Sequence, residues 1–355
     1  MHEKQSQRVG DESLAVQAGT INVTGISEER AHIIAQEVVQ KEICRFTETA
    51  AEIARARVDQ LRTEIIDRIK EVRIENLSAF EDPDVQMLLL ESQAEYARSG
   101  EEHHFRVLAD LIAMRCTNSV SGLEKSAIRS AVETVGRLPG SCIAAVTICW
   151  LMTDVKYTGP IESGRWLRTW AERHLAPFVA NLPKSNKEYR YLESSGCITI
   201  THGFTANSIA GRMVRLYPGL FQAGLMDDDI PSPLMELFTR TRGHAEGMFF
   251  PCLGDSDKWQ VNAIDEEAAR ELAALHTTDS GVIEQFANLL KSNALSANRD
   301  VETILRESHP AWGELLDRYA DTLIASMRVN SVGAAIAHCN WSSTTGDKAP
   351  LSIWV

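Results

Sequence analysis

The sequence lacks the short motifs that mark the common nucleotide-binding and hydrolytic enzymes. None of the patterns G-x-x-x-x-G-K-[ST], G-x-G-x-x-G, H-E-x-x-H and G-x-S-x-G occurs among the 355 residues. Each pattern places residues where a phosphate, a metal ion or a nucleophile needs them. Their absence disfavours a nucleotide-driven motor, a dinucleotide enzyme, a zinc protease and a typical α/β-hydrolase, and the sequence predicts no cofactor.

Long hydrophobic runs are also missing. The most apolar stretch, CIAAVTICWLM at residues 142–152, is about half as long as the roughly 20 residues that a bilayer-spanning helix needs. It predicts a buried helix or strand. The N-terminus MHEKQSQRVGDES is polar and has no signal-peptide core, so we expect a cytoplasmic protein that meets no membrane at rest.

Cysteine pairs and basic runs are absent as well. The seven cysteines are scattered and form no C-x-x-C pair, which is typical of reduced thiols in a cytoplasm. Lys and Arg number 36 against 49 Asp and Glu, which gives a net charge of −13. Because an acidic chain repels phosphate backbones, the composition disfavours general nucleic-acid binding.

The clearest feature that is present is one very long helix. From Ser27 to about Arg73 no Pro or Gly interrupts the chain. Apolar or small residues recur there at steps of three and four, at Val39, Ile43, Phe46, Ala50, Ala54, Val58, Leu61, Ile65, Ile69 and Val72. A helix of roughly 45 residues is about 70 Å long, so we expect it to pack against a partner helix, in this chain or another.

The remaining sequence divides into a helical part and a mixed part. Helical patterns with short loops continue to about Leu182, and β-type segments appear afterwards. The predicted fold class is mainly α with an α+β C-terminal half. Its predicted parts are a β-arc at 1–26, the long helix at 27–78, a helical domain at 79–189 and an α+β domain at 190–355.

Local patterns in the C-terminal half predict individual elements. Four segments indicate strands, namely SGCITITHG, MFFPCLG, KWQVNAI and the closing LSIWV. WGELLDRYADTLIASMR indicates a helix, and the small residues of NSVGAAIAHCN indicate a tightly packed core helix. FANLLKSNALSANRDVETILRES has the shape of two short helices, but acids on the second helix disfavour DNA reading.

The sequence contains few candidate catalytic or metal-binding residues, and their spacing matches no known motif. His202, His244 and Asp255 are the catalytic candidates, and Cys252 and His338-Cys339 could join a metal or nucleophilic site. Nothing in their spacing requires this, and no metal site is predicted. Asp255 to Glu266 has the length of an EF-hand loop but lacks the glycine at its sixth position. His103 and His104, at a helix start among acids, are expected to be solvated.

The segment GDESLAVQAGTINVTG near the N-terminus alternates apolar and polar residues. The apolar positions are Leu14, Val16, Ala18, Ile21 and Val23. The first three are even-numbered and the last two odd-numbered, so a bend at Gly19 is needed to bring them to one side. Such short strands are unstable alone, and we predict that they pair with another copy of the chain. There are two alternatives to pairing with another copy: the segment is a disordered tail, or it pairs with the C-terminal sheet of its own chain.

Three segments together resemble an uncharacterised family of bacterial proteins of about this length. They are GDESLAVQAGTINV, FEDPDVQMLLLESQAEYARSG and SVGAAIAHCN with LSIWV. The leader, with Gly10, Asp11, Ser13 and the run Gln17–Gly19, is also similar to leaders on unrelated bacterial proteins associated with phage defence. The resemblance implies a bacterial cytoplasmic protein in a defence setting, and it brings no activity and no catalytic residues with it.

These observations favour a self-assembling protein that acts by homo-oligomerisation, through its N-terminal arm and long helix, rather than by classical catalysis. A phage-derived trigger or an operon partner would fit that role. Two alternatives stay open. One is a hydrolase or nuclease effector with a site around His202, His244 or Asp255, and the other is a membrane-disrupting effector that exposes residues 142–152 after triggering.

Overall fold

A computed structural model describes residues 28–71, 82–117, 121–157, 165–201, 208–244, 247–295 and 298–355. The chain divides into two units, residues 1–56 and residues 57–355. The predicted assembly arm, with Leu14, Val16, Ala18, Ile21 and Val23, lies outside the described residues, and so does His202.

The predicted long helix is confirmed as α1, Glu28–Glu71. Its first part belongs to the unit 1–56, where none of residues 47–56 is buried. In the unit 57–355 its apolar stripe is buried at Leu61, Ile65 and Ile69. The four-residue spacing keeps these side chains on one face of the helix.

Short helices with local caps follow α1. They are α2 (Pro83–Ser99), α3 (Glu102–Arg115), α4 (Gly122–Val135), α5 (Gly140–Thr153), α6 (Trp166–Trp170), α7 (Ala176–Val179) and α8 (Asn186–Ser194). A π-helical turn, Ala171–Leu175, joins α6 to α7. Asp82 caps α2, and Ser121 with Glu124 forms a capping box at the start of α4.

The C-terminal half alternates helices with very short strands. In chain order these are β1 (Ile198–Ile200), α9 (Ile209–Leu216), α10 (Met235–Thr241), β2 (Phe249–Pro251), β3 (Trp259–Val261), α11 (Glu266–Ala274), α12 (Ser280–Ser292), α13 (Asn298–Ser308), α14 (Pro310–Asp321), β4 (Met327–Val329) and α15 (Ser331–Thr345). β1 pairs antiparallel with β4, with Ile198 opposite Val329, and β2 pairs antiparallel with β3, with Phe249 opposite Val261. The predicted fold class, mainly α with an α+β C-terminal half, is confirmed.

The apolar segment 142–152 is fully buried inside α5, as predicted. α15 packs against α3, α4 and α5, so the end of the chain completes the core of the helical part. At its start α15 also passes close to the residue before β1, since a Cβ on Gly333 would lie 2.1 Å from the carbonyl oxygen of Cys197. A second, smaller core lies between α10, α12 and the β2–β3 hairpin.

Three local predictions are wrong. LSIWV is not a strand, because Leu351–Ile353 form a 3-10 turn that buries Leu351 and sets Trp354 against Trp150, with ring centroids 4.8 Å apart. The helix predicted through Arg328 ends at Asp321, since the chain continues into a 3-10 turn and β4. His104 is not solvated, because it is 4% exposed and one ring nitrogen lies 2.7 Å from the carbonyl oxygen of Leu138.

Candidate anion-binding site

The catalytic candidates chosen from the sequence are not joined by any contact between described residues. His244 is exposed in the turn after α10. Asp255 lies between β2 and β3 and pairs with Lys258 at 3.2 Å. The hydrogen bond from Lys258 lowers the pKa of Asp255, which is typical of an ion pair at a turn. A catalytic role for these residues therefore stays a prediction, and His202 lies outside the described residues.

The cysteines and the remaining histidine of the predicted metal or nucleophilic site are buried. Burial raises the pKa of the Cys252 thiol and of the Cys339 thiol, so both are held as neutral thiols. His338 places Nε2 2.7 Å from the carbonyl oxygen of Ala349. Within the described part of the chain, no three or more His, Cys, Asp and Glu side chains are grouped to hold a metal ion.

The EF-hand-length segment folds as a turn, a strand and a helix start. β3 occupies Trp259–Val261 in its middle, and Asp265 near its end caps α11 by accepting a hydrogen bond from the amide of Ala268 at 3.0 Å. The middle of the segment is thus a strand paired with β2, and its end is the start of a helix. The sequence interpretation against a calcium loop agrees with this local structure.

A different set of residues surrounds a small cavity in the unit 57–355. The lining comes from the end of α5, from α9, from α14 and from the segment leading into β4. The residues are Met152, Thr153, Ile209, Arg212, Arg215, Tyr319, Ala325 and Arg328. Three of the eight are arginines, in a protein whose net charge is −13.

Local structure accounts for the position of each arginine. Ser208 caps α9 by accepting a hydrogen bond from the amide of Gly211 at 3.0 Å, which fixes the start of the helix. Arg212 and Arg215 are three residues apart on α9 and therefore share one face. Arg328 is the central residue of β4, opposite Thr199 of β1, so strand pairing brings it to the same cavity.

The three arginines have no carboxylate within salt-bridge distance among the residues that the structure describes. Arg212 is half-buried and donates a hydrogen bond to the carbonyl oxygen of Thr153 at the end of α5. Burial lowers the pKa of Arg212 from its ordinary value, and the charge of Asp154 acts against this. Arg215 and Arg328 are exposed at the edge of the cavity. Unpaired positive charge is thus concentrated in one place.

Tyr319 adds a neutral donor to the same cavity. Burial raises the pKa of its hydroxyl, although Arg212 and Arg328 act in the opposite direction. The hydroxyl is therefore protonated at neutral pH and can donate a hydrogen bond. The cavity combines three guanidinium groups with one phenol, which is a set that favours an oxyanion.

An apolar cavity adjoins the arginine-lined cavity and shares Met152, Ile209 and Arg212 with it. Its other lining residues are Leu151, Val155, Trp170, Met213, Leu216 and Tyr217. The arginine-lined cavity has a volume of about 30 Å³ and the apolar cavity about 10 Å³. These volumes correspond to about two water molecules and about one. The site therefore offers a charged compartment and a small apolar compartment, with Arg212 between them.

No run of basic residues marks this site in the sequence, so it was not among the predicted sites. One signal was present, since Arg212 and Arg215 lie three residues apart in a helical segment, IAGRMVRL, that contains no acid. Such a pair has no intrahelical partner and is a reasonable anion candidate. Arg328 could not be added, because nothing in the local sequence joins it to α9.

Fold and site together define a mainly α protein with an arginine-lined cavity beside its small β1–β4 sheet. The chain belongs to an uncharacterised protein family, whose model matches residues 25–355. No curated protein and no solved structure matches the chain. Within the described residues, no helix combines the length and the apolar content that a bilayer crossing requires.

Proposed function

We propose that this protein is a ligand-binding protein that takes up a small oxyanion between Arg212, Arg215 and Arg328. The observation that carries the proposal is the cluster itself, in which three arginines line one cavity and none of them has a carboxylate within salt-bridge distance among the described residues. Guanidinium groups match the geometry of carboxylate, sulfate and phosphate oxygens, and partial burial strengthens their interaction with an anion. This role requires binding and no catalytic step.

Thermal unfolding of the full-length chain in chloride buffer, with acetate, sulfate or phosphate added at constant ionic strength, tests this function. At least one anion should raise the melting temperature, because a ligand that binds only the folded state stabilises it. Arg212→Gln should abolish the increase. Arg190→Gln, at an exposed arginine of α8, is the matched control and should retain it. If an anion raises the melting temperature equally in Arg212→Gln and Arg190→Gln, the proposed site is rejected.

We also infer that copies of the chain associate in the cytoplasm through residues 1–26 and the first part of α1. The support is the apolar stripe of α1, which is buried at Leu61 and Ile65 but continues N-terminally to Ala50, which is exposed; Ile53, beside the stripe, is 48% exposed. An apolar helix face that remains in water gains stability from a partner. A role in phage defence, with a phage-derived trigger or an operon partner, belongs to this second proposal.

Light scattering separates the two proposals. Deletion of residues 1–25 and the substitution Ile53→Glu should each lower the molar mass of the assembly. Ile66→Glu, at a side chain of α1 that is 46% exposed but lies outside the unit 1–56, is the matched control. An unchanged mass in both tests would reject assembly through this segment. A phage challenge with the deletion variant then tests whether assembly matters for defence.

A further inference from the structure

We propose that the anion bound by the arginine cluster is a phosphate dianion, either free or as the terminal group of a compact monoester. This inference rests on the proposed function and specifies the chemical class of its ligand. It depends on charge, on donor geometry and on size.

The charge at the site matches a dianion better than a monoanion. Arg212, Arg215 and Arg328 carry three positive charges, and Asp154 is the acid whose negative charge acts on Arg212. Because no carboxylate lies within salt-bridge distance of the three arginines among the described residues, more than one positive charge is available to a ligand. A carboxylate supplies one negative charge, whereas a phosphate monoester carries about 1.5 to 2 at neutral pH.

The donors also suit an anion with three terminal oxygens. Each guanidinium presents several N–H groups in a planar fork; Arg212 uses one of them on the carbonyl oxygen of Thr153, and Arg328 uses one on the carbonyl oxygen of Met327. The Tyr319 hydroxyl is a further donor, since it stays protonated. A carboxylate offers two oxygens to accept hydrogen bonds from these donors, whereas a phosphate monoester offers three.

The size of the site limits what the phosphate can carry. The charged cavity of about 30 Å³ is too small to enclose a whole phosphate group, so the phosphate lies at its opening, where Arg215 and Arg328 are exposed, with its oxygens directed inwards. The apolar cavity of about 10 Å³ accepts a group of about the size of one water molecule. A nucleobase or a sugar does not fit inside. A long polyanion is disfavoured by the net charge of −13.

Isothermal titration of the full-length protein with methyl phosphate and methyl sulfate tests the inference. The two ligands have nearly the same shape, but at about pH 7.5 methyl phosphate is mostly a dianion and methyl sulfate a monoanion. We expect methyl phosphate to bind at least about tenfold more tightly at that pH. At about pH 5, where methyl phosphate is mostly a monoanion, the two affinities should converge. Methyl sulfate measured at both pH values controls for titration of the protein itself.

Variants and a third ligand complete the experiment. Arg328→Gln, at an exposed position, should reduce the preference for methyl phosphate, and Arg190→Gln should leave it unchanged. If inorganic phosphate binds more weakly than methyl phosphate, the ligand is a phosphate ester. If inorganic phosphate binds more tightly, the ligand is the free ion. Equal binding of methyl sulfate and methyl phosphate at about pH 7.5 overturns the dianion inference. Binding of acetate that depends on Arg212 would still support the proposed function, and loss of all anion binding would reject both.

Discussion

The Asp110 carboxylate of α3 lies 3.2 Å from the Arg68 guanidinium of α1. Arg68 also contacts Glu64 at 3.1 Å and Glu71 at 3.3 Å, so three carboxylates share one guanidinium. Burial, helped by the charges of Glu64 and Glu71, raises the pKa of Asp110 to about 6 against the opposing effect of Arg68. This carboxyl group is therefore partly protonated near pH 6 in the folded protein.

The raised pKa of Asp110 predicts that its contribution to stability is lost as the pH rises. Between its ordinary pKa of 3.8 and about 6, the folded state holds more protons than the unfolded state. The contribution is thus complete at low pH and disappears as the pH rises through about 6. Relative to Asp110→Asn, the wild-type melting temperature should fall between about pH 5 and about pH 7.

Thermal unfolding of both proteins at the two pH values checks this prediction. Asp67→Asn, at an exposed carboxylate of α1, is the matched control and should give a difference that is the same at both pH values. A constant difference for Asp110→Asn as well would show that Asp110 does not titrate in this range.

His338 should give a pH dependence of the opposite sign. It is 3% exposed, and burial lowers its pKa below the ordinary value of 6.5. As the pH falls below about 6.5, the unfolded chain takes up a proton that the folded protein resists, so stability is lost. Compared with His338→Gln, the wild type should lose melting temperature between about pH 7 and about pH 5.5. His244→Gln, at an exposed histidine, should show no such difference, and an equal response of the two variants would contradict the prediction.

Helix boundaries set by local caps could be predicted from the sequence. Asp82 accepts a hydrogen bond from the amide of Asp84 at 3.0 Å, and Asp265 does the same for Ala268. Each cap involves residues two or three positions apart, so the whole interaction lies within a short segment. The length of α1 followed in the same way from its uninterrupted apolar pattern, whereas the apolar run of α5 predicted burial and left helix and strand open.

The segments of β1, β2 and β3 were predicted as strands from their local patterns, but β4 and the turn at the C-terminus depend on distant partners and could not be predicted. β4 contains Met327, Arg328 and Val329, too few residues for a periodic pattern, and it is a strand because β1 pairs with it from more than a hundred residues away. LSIWV has alternating apolar residues, but Pro350 and the contact of Trp354 with Trp150 favour a turn. His104 looked solvated because its neighbours in sequence are acidic, whereas Leu138 from another segment covers it.

The arginine site also combines residues that the local sequence places together with residues that only the fold brings there. Arg212 and Arg215 share a helix face, and this could be predicted from their spacing. Arg328 joins them only because β4 pairs with β1, and Tyr319 only because α14 packs nearby. The sequence could therefore suggest two basic residues on one helix, but only the fold assembles the cavity.

Gly333 should tolerate no side chain. A Cβ at this position would lie 2.1 Å from the Cys197 carbonyl oxygen and 3.3 Å from the Val329 Cβ, and backbone cannot move aside cheaply. Gly333→Ala should cost about 1–3 kcal/mol of unfolding free energy, measured by urea denaturation. Gly122→Ala, in the first turn of α4 with nothing within 4 Å of the new Cβ, is the control and should be neutral or stabilising. Equal costs would show that α15 does not approach β1 this closely.

Substitution of the buried Gln222 should strongly lower the free energy of unfolding. It is 1% exposed, its Oε1 accepts a hydrogen bond from the amide of Val261 at 3.1 Å, and its Nε2 donates to the carbonyl oxygens of Val261 and Gly219. Gln222→Met keeps the volume but leaves the Val261 backbone without these partners, which should cost about 2–4 kcal/mol in urea denaturation. Gln285→Met, on the half-buried side of α12, is the matched control with an expected cost below about 0.5 kcal/mol. A cost for Gln222→Met as small as that of the control would mean that packing alone, and not this hydrogen-bond network, holds β3 against the turn that contains Gly219.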